Sequence, residues 1–554
     1  MTDYTPAPMQ SLLILGQAAQ MQSSYGPMFM LSLFIAASVW IGIQANNATS
    51  SGGFMKGFFL GNRGLGVWAL ALTATVQSGG TFMGFPSLVY SYGWIVALWI
   101  AGYMVVPITG FGVLGKRLAQ LSRRSGAITV PDLFRTRFNS PSLGLLCTVF
   151  ILFYLGFMMF AQFKAGAIVL QLAWPSGFLG IEDAAVNSDY MYHTGLIVFA
   201  VTVTAYTLLG GFLAAVWTDL FQSLLMFVGV MILLVASLWA AGGLENATRV
   251  SLENTGPGFV YGPGHVGDDT DREFLPLSLA ISFWVIWVWA GVGSPAGLVR
   301  LMASQNTPVI RRSILMLGVY NTGIYLPLII ICVCGRALLP ELEQPDQIIP
   351  QMALLTTKDW PGGSLIAGLI LAAPFGAVMS TVSSYLVVIS SGAVRDIYQR
   401  LWRPQAKRGE LRMIAWGTMI LTAVFSVAAM WNPVDYLQVL IVFSGTGAAA
   451  TFLVPAIMAC YWRRATANGV FASMLGGALV VLLLYLIGIM GWAPVANIGA
   501  GSKFRPLYLL GLDPLLWGIL VSAILGIVVS YLTAPPEKAL VARMFGPQQE
   551  EIAR

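Results

Sequence analysis

An all-α polytopic membrane protein is the fold class this sequence predicts, and three observations carry the prediction. Of 554 residues, 57% are hydrophobic and only 9% are charged, against ~25% charged in ordinary globular chains. No soluble fold could hide that much apolar surface. The apolar residues come in runs of about 20, the length that crosses a bilayer as a helix. The loops between the runs alternate in charge, as the loops of a multi-pass protein do.

In order, the first long apolar segment is Met28 to Ile43. A glycine-rich loop with Lys56 and Arg63 follows, then Leu65 to Tyr90 and Trp94 to Leu114. A basic loop carries Lys116, Arg117, Arg123, Arg124, Arg135 and Arg137. Leu143 to Trp174 is long enough to tilt or project. After an acidic loop (Glu182, Asp183, Asp189) come Thr194 to Leu209 and Ala214 to Ala241. A second acidic loop (Asp268, Asp269, Asp271, Glu273) leads to Pro276–Met302, which runs back to Arg311 and Arg312. Ile314 to Cys334 and Ser364 to Ile389 flank a third acidic loop with Glu341, Glu343 and Asp346. A basic loop from Arg395 to Arg412 precedes Met413–Met430, Val434–Cys460, Asn468–Met490 and Pro514–Tyr531. That makes about thirteen crossings. With the N terminus outside and the C terminus cytoplasmic, every basic loop falls inside and every acidic loop outside. The expected location is the inner or plasma membrane of the cell.

The net charge of +6 fits basic loops on one membrane face, not nucleic-acid binding. Cys147, Cys332, Cys334 and Cys460 all lie in apolar segments and read as small core residues. His193 and His265 form no cluster. No set of His, Cys and carboxylate residues gathers in an apolar segment, so an enzyme is not expected. The first apolar run, Ser11 to Leu15, is short and follows no basic region, so no cleavable signal peptide is expected.

Two stretches are wrong for plain membrane helices. In ALTATVQSGGTFMGFPSLVYSYG (Ala71 to Gly93), Gln77, Ser78, Gly79, Gly80 and Thr81 stand together and Pro86 follows. Small and hydroxyl residues let a helix unwind, and free backbone groups at membrane depth survive only inside protein or beside a wet cavity. Such a break is a candidate ion or solute site; the plainer alternative is close helix packing. In IWVWAGVGSPAGLVR, Gly291, Gly293, Ser294 and Pro295 interrupt a second helix. Interruptions at corresponding places in two halves point to a substrate site.

A third stretch, Ser364 to Tyr398, carries hydroxyls mid-helix. Ala377, Ser380, Thr381 and Ser384 share one face, with Ser383 at its edge. Those hydroxyls could bond their own backbone or offer oxygens to a hard cation such as sodium. Asp219 is functional by default if it lies within the membrane, and a surface contact if it lies at a helix end. Lys164, apolar on both sides and near Gln162, needs a partner. It suits an anionic solute or snorkels to an interface.

GNRGLG, AYTLLGGFLAAVWTDLFQ (Ala205 to Gln222) and AAPFGAVMSTVSS followed by RDIY resemble the sodium:solute symporter family. The likeness runs from about Phe58 to about Arg464 and is nearest the pantothenate-permease-like branch. It implies a LeuT-type architecture of two inverted five-helix repeats, residues 65–241 and 275–461. Residues 1–64 would hold one leading helix, 465–534 two trailing helices, and 535–554 a cytoplasmic tail. It implies a principal sodium site at Ala74, Gln77, Ala377, Ser380 and Thr381, and a second at Asp219, Ser383 and Ser384. Sodium would be the only metal, carried as a co-transported ion. The solute would meet Gln77, Ser78, Gly79, Phe82, Lys164, Trp287 and Ser294. Relatives often place an amide and a histidine about the proline where Ser294 and Ala296 stand, so the pocket differs there.

The function expected is sodium-coupled import of a small organic solute by alternating access. A carboxylate such as pantothenate is favoured; proline, other monocarboxylates and neutral nutrients stay open. Proton coupling on the same fold and a transporter-like sensor are the rival readings. The partners expected are solute, sodium and lipid, with the oligomeric state left open.

Overall fold

The computed structural model describes residues 24–48, 58–74, 78–175, 184–262, 277–433, 437–492 and 504–546. Those residues are helical almost throughout. The one extended pairing among them is an isolated parallel bridge between Leu65 and Ser304.

In chain order the helices are α1 (Gly26–Ala48), α2 (Val67–Ala74), α3 (Phe85–Tyr92), α4 (Ala97–Val106), α5 (Lys116–Ser125), α6 (Val130–Phe138) and α7 (Pro141–Ala173). Then come α8 (Val186–Leu209) and α9 (Ala214–Ala240), α10 (Leu244–Thr255), α11 (Leu277–Gly293), α12 (Pro295–Met302) and α13 (Thr307–Leu338). The remainder are α14 (Ile348–Thr357), α15 (Gly363–Ser391), α16 (Arg408–Ala429), α17 (Leu437–Tyr461), α18 (Ala467–Met490), α19 (Pro514–Leu532) and α20 (Lys538–Phe545). Ten helices in the described residues are long and apolar enough to cross a membrane. Three interrupted segments stand beside them: α2–α3, α4 with its wide turn Pro107–Gly115, and α11–α12.

The helix starts are written locally. Ser140, Asn306 and Asp513 each accept a hydrogen bond from the first helical turn, and a proline stands first (Pro141, Pro514) or second (Pro308) in the helix that follows. A polar cap satisfies an otherwise orphaned amide, and proline costs nothing at a position with no amide partner. Burial then sorts the bundle. In α15 and α17, 83% of the most apolar window is inside the protein, against 28% in α1, α16 and α19. The first pair is the centre of the bundle and the other three face lipid. α15 packs on α7, α8, α9, α1 and α16.

α8 and α9 are joined at a sharp kink at Gly211, with φ 59° and ψ −152°. That backbone region belongs essentially to glycine. A Cβ there would sit 2.6 Å from the Phe58 ring. We expect Gly211→Ala to cost about 1–3 kcal/mol from the backbone alone, read as a lowered melting temperature in detergent. Gly417→Ala, on an open face of α16, is the control and should be neutral or stabilising.

Candidate transport site

The first interrupted helix ends, as described, at Ala74. Ser78 is not helical, and the chain resumes through Gly79 and a wide π-type turn, Gly80–Gly84, before α3. Gln77 lies outside the described residues, and of Ala74 only the helical backbone is described. Ser78, Gly79 and Phe82 are all buried. The freed backbone is taken up by side chains: Gly79 N donates to Gln162 Oε1 at 2.8 Å and Gly80 N to Ser78 Oγ at 3.1 Å. A Cβ on Gly79 would fall 2.7 Å from that of Ala165, so glycine lets α7 come this close. The second interruption lies at Ser294, extended at φ −68° and ψ 120°, with Pro295 starting α12.

The first break, together with Trp287 of α11, faces one small cavity. Its described lining is Ser78, Gly80, Thr81, Phe85, Tyr103, Trp287, Tyr325, Gln438 and Ile441, and its volume is about 10 Å³. That is room for about one water, too little for an organic solute. Thr81 Oγ1 and Tyr325 Oη hydrogen-bond at 3.1 Å across it. Of the expected solute contacts, Ser78 and Trp287 reach this cavity. Gly79, Phe82, Ser294 and Lys164 are not in its described lining. Tyr103, Tyr325 and Gln438 join it unforeseen.

The hydroxyl stripe of α15 is buried at Ala377, Ser380, Thr381, Ser383 and Ser384. Ser380 Oγ and Thr381 Oγ1 both donate to Ala377 O, at 3.1 and 3.0 Å, and Ser383 Oγ donates to Ser380 O at 3.0 Å. Backbone bonding and ion binding are compatible here. A hydroxyl that donates its proton to a carbonyl still presents oxygen lone pairs.

Asp219 is 2% exposed, which sets aside the reading of it as a surface contact. Arg300 Nη2 lies 2.5 Å from Asp219 Oδ2 and 2.6 Å from Ser384 Oγ. Arg300, itself buried, therefore joins α9, α12 and α15. It drew no attention in the sequence because it closes an apolar run near the next basic loop. Asp219 Oδ1 and Arg300 Nη1 have no hydrogen-bond partner among the described atoms.

Lys164 does not snorkel. Its Nζ lies 2.9 Å from Asp346 Oδ2, with both side chains buried. The same carboxylate oxygen accepts from Leu437 N at 3.2 Å. The pair sits at one end of a larger cavity of about 290 Å³, whose lining includes Gln171, Ser188, Asp189, Tyr192 and Glu343. On the opposite side of the breaks, the entry to α2 is stitched to the exit of α12. Leu65 N donates to Ala303 O and Gln305 N to Leu65 O, both at 3.2 Å. Arg123 adds bonds to the carbonyls of Ser304 and Gln305.

Removing one partner of a buried ion pair strands the other charge at a cost of about 3–5 kcal/mol, whereas replacing both with apolar groups can be neutral. Arg300→Met is expected to lower the melting temperature sharply, and Asp219→Leu with Arg300→Met to recover most of it. A double variant as unstable as the single would mean that the pair is not the source of the loss.

The sodium:solute symporter family model matches residues 58–477. A sodium/pantothenate symporter of Haemophilus influenzae is 33% identical over 451 residues, covering 79% of this chain and 86% of the relative. One of Escherichia coli is 31% identical, covering 84% and 92%. A sodium/proline symporter of Staphylococcus aureus is 27% identical over 547 residues, covering 95% and 96%. Among solved structures, a Na+-coupled sialic acid symporter in a substrate-bound outward-open state superposes with a TM-score of 0.67 at 19% identity, over 93% of this chain and all of that one. Mhp1, a nucleobase-cation-symport-1 family transporter, superposes with a TM-score of 0.51 at 13% identity. The family match takes in both interrupted helices and all of α15, and the chain belongs to the sodium:solute symporter family.

Proposed function

We propose that the chain imports a small carboxylate solute, of which pantothenate is the leading example, together with sodium and by alternating access. Symport and a multi-pass membrane location come with the family; the solute rests on the pantothenate relatives. The observation that carries the ion assignment is the cluster at Ala377, Ser380 and Thr381. It supplies neutral oxygens at membrane depth and no titratable group. A proton-coupled site would need one. Ala74 and Gln77 would complete this sodium site from the first interrupted helix.

A second sodium would lie at Asp219, Ser383 and Ser384. The unpartnered Asp219 Oδ1 supports it, since buried carboxylate oxygens are normally bonded. Arg300 holds the other oxygen and would compete with that ion. Ser78 and Trp287 would meet the solute, with Gln77, Gly79, Phe82 and Ser294 around them. Proline is the second solute reading, supported by the proline symporter relative that covers nearly the whole chain.

Thirteen crossings follow if the ten long helices and three interrupted segments all span. The inverted repeats are then residues 65–241 and 275–461, with residues 1–64 leading, 465–534 trailing and 535–554 as the tail. The basic loops place the N terminus outside and the C terminus in the cytoplasm of a cell membrane. On that assignment the 290 Å³ cavity is outer and the Leu65–Ser304 seam inner.

Uptake of labelled pantothenate into proteoliposomes tests the reading. Uptake driven by an inward sodium gradient is expected, falling at least about tenfold in Ser380→Ala or Thr381→Ala as ion ligands are lost. Ser383→Ala should lower the sodium dependence toward first order if two ions bind. Uptake that follows a pH gradient and ignores sodium would overturn the ion assignment.

A further inference from the structure

Two cavities in the described residues nearly meet, and one ion pair stands between them. Gln438 lines the small central cavity, while Leu437 N bonds Asp346, which lines the outer one. On α7, Gln162 holds Gly79 beside the central cavity, while Lys164 lines the outer cavity and holds Asp346. The pair thus ties α7 to the loop before α14 and to the start of α17. The most direct line from the outer cavity to the first interrupted helix runs through this contact.

Parting a buried ion pair without replacement leaves an uncompensated charge on each side, which is strongly unfavourable. Asp346 is the loosely held partner. Its Oδ1 has no hydrogen-bond partner among the described atoms, although a carboxylate can accept about four bonds. Asp189 and Glu343, at the same cavity, are exposed, where water and salt screen them. Lys164 is the buried cation at its inner end. The cavity, about 290 Å³, is close to the small end of the range for ligand sites.

We propose that Lys164 selects for acids by exchanging partners: the solute's carboxylate replaces Asp346 on Lys164, and the released Asp346 lets the loop of residues 345–347 lift away from α17. A carboxylate arriving from outside keeps Lys164 neutralised throughout the exchange. A neutral solute cannot, and meets a closed pair. Lys164 is then a specificity-determining residue of the outer cavity rather than of the central one. This rests on the carboxylate solute and the topology proposed above.

The test compares pantothenate with pantothenol, which carries a primary alcohol in place of the carboxylate. Both compete against labelled pantothenate for the full chain in proteoliposomes with saturating sodium. Wild type should favour the acid. Lys164→Gln should weaken the acid by at least about tenfold, the worth of a charge-assisted bond, while the alcohol, with no ion pair left to part, binds as well or better. Asp346→Asn removes the competitor for Lys164, so KM for the acid should fall severalfold, and the alcohol should bind no worse than in wild type. A pair that merely holds the fold would shift both ligands equally in both variants, and that result overturns the proposal. Lys164→Gln with Asp346→Asn, which leaves no stranded charge, serves where a single variant fails to fold. It should bind acid and alcohol alike, and retained preference for the acid would also overturn the proposal. Wild type that binds neither compound overturns pantothenate as the solute, and this proposal with it. Wild type that takes up pantothenate while the variants shift both ligands alike overturns the exchange alone.

Discussion

A bilayer offers no hydrogen bonds, so every backbone group at its depth must be satisfied by the protein itself. The architecture answers to that constraint. Continuous helices meet it alone. The interrupted ones at Ser78 and Ser294 meet it only because other helices wrap them. Gly79 N leaves the helical pattern and is taken by Gln162 of α7. The wide turn that follows packs against α7, α15 and α17. The two most buried helices, α15 and α17, enclose the place where backbone is least regular. Irregular backbone at membrane depth needs that enclosure.

The same constraint governs charge. Lys164 and Arg300 each lie deep in the protein, and each has a carboxylate partner from a distant segment. Neither pair joins neighbours on one helix. Arg300 links α12 to α9 and α15, and Lys164 links α7 to a loop. An ion pair between two elements adds little if it could be exchanged for apolar packing, but it penalises any arrangement that separates them. The pairs therefore define which relative positions of the helices are cheap.

What could be read from the sequence was what local chemistry encodes. Glycine, serine and proline mark both interruptions, and the hydroxyl stripe of α15 follows from spacing of three and four. Long-range partners had no such signature. Arg300 and Asp219 are 81 residues apart, and Lys164 and Asp346 are 182 apart. Asp346 counted only as one negative charge in a loop, and Arg300 looked like the end of an apolar run. Tyr103 and Tyr325 meet at 4.7 Å between ring centres, yet each looks like any aromatic residue in a membrane segment. Lys164 was rightly singled out as needing a partner, but the cavity it lines is set by the packing of loops, which periodicity does not describe.

The short helix α20 carries a consequence for biosynthesis. The carbonyl of Met544 accepts a bond from Arg124 at 2.8 Å, across 420 residues of chain. Phe545 lies under the guanidinium groups of Arg137 and Arg463. A chain made from its N terminus inserts its helices long before α20 exists. Until then Arg124 and the two other arginines wait at the membrane surface without these contacts. The segment of α5 and α6 reaches its final surroundings only after nearly all of the described chain has been translated. Docking of α20 is thus a late event in assembly, and a chain cut short before Met544 would leave the bundle without these contacts.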